Sequence, residues 1–154
     1  MYKREFEGLL KANKAPKSTL LYGACAYQNN FLAHQLLALL QAASEEKVLM
    51  YFDEYNFSSA KNFLSQSSLF GDRNILIVKT DKTIPSKEIE TLVRLCAKND
   101  SSYFIYQYFG EDKKATPLTK LFEKQNDGVF VRLFKAEFNE AIQLLQNHAN
   151  TVGL

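Results

Sequence analysis

Two cysteines and two histidines in 154 residues leave this chain short of the side chains on which most metal and thiol chemistry depends. Cys25 and Cys96 have no paired spacing, which argues against a disulfide framework or a zinc site and fits a reducing cytoplasm. His34 and His148 lie far apart in sequence and read as helix-surface or partly buried residues rather than ligands. No Ser/His/Asp or Cys/His constellation is visible, and so few histidines supply a general base poorly. Excess charge is also missing. Nineteen basic against seventeen acidic residues give +2, without the electrostatic footprint of a strong nucleic-acid binder. Nor is there a long apolar run: Phe31 to Leu40 and Tyr103 to Phe109 are too short to span a bilayer. The N-terminus reads as lacking a signal peptide. The expectation is a catalytically silent cytoplasmic protein with no membrane attachment, metal or cofactor.

What is present is a regular alternation of strands and helices. Ser18 to Tyr22 predicts a first strand ending at Gly23. A helix follows from about Asn29 to Ala43, with Phe31, Leu32, Leu36, Leu39 and Leu40 on its apolar side and Asn29 or Asn30 as its cap. Val48 to Phe52 predicts a second strand, and Asn56 caps a short helix carrying Phe57, Ala60 and Leu64. Asn74 to Lys79 is a continuous apolar strand of the kind buried on both faces of a parallel sheet. Pro85-Ser86 opens a helix with Ile89, Leu92, Val93 and Cys96 at helical spacing. Tyr103 to Tyr108 is a fourth strand, Thr116-Pro117 opens a helix with Leu118, Leu121 and Phe122 on one face, and Val129 to Leu133 is a fifth strand. Five such alternations predict a three-layer α/β domain, residues 1–135, with a mainly parallel five-stranded sheet. Phe138, Ala141, Ile142, Leu145 and Ala149 form a further helical stripe within 136–154. It reads either as the start of another domain, making the chain a fragment, or as a helix folded back on the sheet.

A strand, a glycine and a helix in that order mark the place of a phosphate-binding P-loop. That loop requires G-x-x-x-x-G-K-[ST], with glycines for the cradle, lysine for the β/γ-phosphates and a hydroxyl for magnesium. Here Gly23 survives, but Gln28 replaces the second glycine, Asn29 the lysine and Asn30 the hydroxyl residue. Without the lysine charge, tight triphosphate binding is not expected; an unconventional nucleotide site near Gly23 and Asn29 is the alternative reading. Asp53-Glu54 mimics a Walker B acidic pair but follows the second strand, where ATPases of this architecture carry it on the third. Such residues after a strand are usually solvated turn residues. Lys11, Lys14, Lys17, Lys113 and Lys114 offer a possible DNA contact, set against the plainer reading of solvated surface charge.

The remaining feature is Ser67-Ser68-Leu69-Phe70-Gly71-Asp72-Arg73, which puts two bulky apolar residues where a polar connection is expected. Either Leu69 and Phe70 cap a local core, or they form a plug for a partner's pocket, since a few desolvated anchors dominate interface energies. Ser67 and Ser68 suit a pocket rim, and Gly71 permits a sharp exit. This stretch, with Leu20-Leu21-Tyr22-Gly23, Asn74 to Val78, Tyr103 to Tyr106 and the closing 137–145 stripe, resembles the N-terminal domain of the clamp-loader δ subunit family of bacterial DNA polymerase III. The resemblance covers nearly the whole chain. It departs in carrying Ser67 where proline is frequent and in an unusually aromatic fourth strand. It implies an AAA+-like domain with a degenerate nucleotide site, without ATP hydrolysis of its own. Leu69 and Phe70 would then insert into the β sliding clamp and promote ring opening during DNA replication. Other clamp-loader subunits would be partners, DNA would be met only indirectly, and a lid domain would follow.

Overall fold

The computed structural model describes residues 2–43, 46–52, 54–66, 73–123 and 126–134. Ser67, Ser68, Leu69, Phe70 and Gly71 lie outside the described residues, as do Asp53, His148 and the 136–154 segment. The elements run α1 (Lys3–Lys11), β1 (Ser18–Gly23), α2 (Ala26–Ala43), β2 (Glu46–Tyr51), α3 (Phe57–Ser65), β3 (Arg73–Thr80), α4 (Ser86–Lys98), β4 (Ser102–Tyr108), α5 (Asp112–Thr119) and β5 (Gly128–Leu133). The strands form one sheet in the order β2-β3-β4-β1-β5. Every pairing in it is parallel.

Parallel strands joined by right-handed crossovers dictate which face each helix takes. The β1-to-β2 connection runs against the direction of all later ones, so α2 packs on one face and α3, α4 and α5 on the other. The two cores follow that division. Leu21, Ile75, Ile77, Ile105 and Val131 meet Leu32, Leu36 and Leu40 of α2. Leu76, Val78, Phe104 and Tyr106 meet Leu64, Ile89, Leu92 and Phe122 on the far side. The alternation of side chains along a strand sends Ile75 and Ile77 one way and Leu76 and Val78 the other. That is why β3 reads as an unbroken apolar run. Asn56 caps α3 as expected, its Oδ1 accepting from the Ser59 N–H at 3.0 Å.

Three elements differ from the sequence-based expectation. α1 was not anticipated; it buries Phe6 completely in the same core as Leu36 and Val131, and the basic Lys11 to Lys17 stretch begins with its last residue and continues as its exit loop. α2 begins at Ala26, so Asn29 and Asn30 are not caps but lie in its opening turns. The reason is a short connection: only Ala24 and Cys25 separate β1 from the helix, and the Asn29 N–H already donates to Cys25 O at 3.1 Å. α5 begins at Asp112 rather than at Thr116, with Pro117 in its last turn. Proline there removes one main-chain donor, and the helix ends two residues later. Leu118 and Phe122 are nonetheless buried, as their spacing required.

The aromatic β4 and the buried thiol give the fold a limit on the alkaline side. Burial pushes the Cys96 thiol from its usual 9.0 up to about 12. Burial also raises the Tyr106 phenol. For Tyr55 burial acts first and the neighbouring Glu88 carboxylate second, with the phenol donating to Glu88 Oε1 at 3.2 Å. Groups whose folded pKa lies above the unfolded one add stability that is complete below the unfolded value and is lost as pH rises through the folded one. Lys17, held low by desolvation, has the opposite sign, but it is one group against five, since burial raises the Tyr22 and Tyr108 phenols as well. The urea midpoint is therefore expected to be level near pH 8 and to fall progressively above pH 9 to 10. Denaturation curves at pH 8 and pH 11 that coincide would contradict this.

Among the described residues no helix is long and apolar enough to cross a membrane.

Candidate functional site

In an open parallel sheet, ligands sit outside the carboxyl ends of the strands where neighbouring connections leave toward opposite faces. Here that point lies between β1, which continues into α2, and β4, which continues into α5 on the other face. Leu21 and Gln107 are register partners at this edge. Gly23 closes β1 with φ +127° and pairs with Leu133 of β5. A Cβ on Gly23 would lie 2.0 Å from the Leu133 carbonyl oxygen and 2.7 Å from its nitrogen. The next residue's N–H, that of Ala24, donates to that same oxygen at 2.8 Å. Close approach of β5 is thus a sufficient physical reason for glycine here, independent of any phosphate.

The crevice itself is bridged by three amide side chains. Asn29, 1% exposed, donates from Nδ2 to the Leu21 carbonyl at 3.0 Å. Its Oδ1 accepts from Gln107 Nε2 at 3.0 Å, and the same nitrogen reaches Asn30 Oδ1 at 3.1 Å. The two residues that stand where a P-loop has lysine and serine therefore bond across the switch point to β4. Gln28 is buried beside them in the first turn of α2. The bridge carries no net charge and no nucleophile. Neither asparagine offers a triphosphate the cationic side chain that a P-loop lysine supplies. Gln107 was not singled out in the sequence. A polar residue in an otherwise aromatic and aliphatic strand was the available signal.

At the opposite, amino edge of the sheet, the chain leaves α3 for residues 67–72 and returns as β3. Both flanks are anchored. On the incoming side, Ser102 Oγ donates to Leu64 O at 2.7 Å, Asn74 Nδ2 to Gln66 O at 2.7 Å, and Asn99 Nδ2 to Leu64 O and Gln66 O at 3.1 and 2.9 Å. These carbonyls end a helix and have no partners within it. On the outgoing side, Arg73 donates to Leu40 O at 3.1 Å and lies 5.2 Å from the Tyr103 ring centre. Lys17 sits 4.1 Å over the same ring and donates to Asn99 O and Asp100 O at 2.9 and 2.8 Å. An open cleft of about 450 Å³ beside this network is bordered by Leu64, Leu95, Asn99 and Ser101.

The other sequence candidates are dispersed. Lys17 is half-buried in the amino-edge network, which removes it from the set of free cations; Lys11, Lys14, Lys113 and Lys114 are exposed. Glu54 and His34 are exposed, Cys25 is partly so, and Cys96 is buried in the core. Among the described residues no three His, Cys, Asp or Glu side chains come together in a metal-binding group.

Comparison with known proteins gives a relationship without an activity. A protein of Helicobacter pylori strain J99 is 24% identical over 170 aligned residues, which take in 100% of this chain and 50% of the relative. Its counterpart in Helicobacter pylori strain 26695 is 23% identical with the same coverage. The chain spans about half the length of the curated relatives it matches. No family model matches it.

Proposed function

We propose that the chain is a nucleotide-silent α/β domain of the clamp-loader δ type, which binds a bacterial DNA polymerase sliding clamp through Leu69 and Phe70 and favours its open form. The observation that carries this reading is the amide bridge from Asn29 and Asn30 to Gln107. It lies across the switch point of an all-parallel β2-β3-β4-β1-β5 sheet, so an architecture suited to nucleotides has its crevice occupied by its own side chains. Function then falls to the opposite edge, where the flanks of the Leu-Phe segment are tied to the sheet. A wedge needs such a base, because immobilising the interface costs less when the protein has already done it. It acts without chemistry: a ligand shifts a two-state ring only by its differential affinity for the two states.

Two titrations test this. Purified sliding clamp is expected to bind saturably, as a complex on size exclusion or in a pull-down. ATP with magnesium is expected to give no saturable signal below millimolar concentration. A robust nucleotide isotherm together with no clamp binding would overturn the proposal in favour of an unconventional P-loop protein.

A further inference from the structure

We draw no further inference here: the strongest candidate, the exposed apolar stripe of Val48, Met50 and Phe52 along the β2 edge of the sheet, carries nothing because nothing in the structure shows what covers it.

Discussion

Gly23→Val is expected to lower the melting temperature by roughly 8–16 °C and, on the proposed function, to have no effect in an ATP titration. The backbone at Gly23 has φ +127°, a region side-chain-bearing residues avoid, at about 1–3 kcal/mol. A Cβ would also enter the space of the Leu133 carbonyl carbon, oxygen and nitrogen, all of them main-chain atoms with no rotamer to yield. β5 would have to move away from β1, loosening the register from Ser18↔Gly128 to Gly23↔Leu133. Together these reach about 4 kcal/mol, a large share of the 5–15 kcal/mol typical of a domain, which sets the size of the thermal shift. Thermal unfolding by circular dichroism measures it. A glycine retained only to cradle phosphate would behave oppositely, the valine variant melting like wild type. That outcome would reopen the crevice as a ligand site.

The strand ladder was legible in the sequence because its signals are local. Ile75 to Val78 can be continuous only if both faces are covered, and the Ile89, Leu92, Val93, Cys96 spacing admits one buried face; all of these residues are buried. The departures from a P-loop pattern after β1 could also be listed from the sequence. What those departures do could not be read there. Gln107 is seventy-eight residues from Asn29, and nothing in either neighbourhood announces that their amides meet. The same holds at the amino edge. Asn99 looks like an ordinary helix terminus, and its bond to Gln66 depends on how α4 and α3 come to lie together. The start of α2 was misplaced because the connection from β1 is only two residues long, so two asparagines read as caps by local preference lie inside the helix, where they reach Leu21 and Gln107. Polar contacts between residues far apart in sequence are the part local propensity does not announce, and those are the contacts on which the functional reading depends.

The decisive result concerns Leu69→Ala combined with Phe70→Ala. Clamp affinity is expected to fall about a thousandfold, because two well-buried anchors are each worth roughly 2 kcal/mol or more. The melting temperature is expected to stay within about 2 °C of wild type, since exposed substitutions usually change stability by no more than about 0.5 kcal/mol. The competing reading, in which the pair belongs to the domain's own core, predicts a loss of about 2–5 kcal/mol per residue and a collapse of the thermal transition. The flanks sharpen the contrast. Gln66 and Arg73 are held by bonds to Asn74, Asn99 and Leu40 in which neither Leu69 nor Phe70 takes part. Truncating the pair therefore leaves the base of the segment standing, so a folded variant that no longer binds isolates the side chains as the contact. A variant that melts early and a variant that binds as before each end the wedge interpretation, the first by making the pair structural and the second by making it idle.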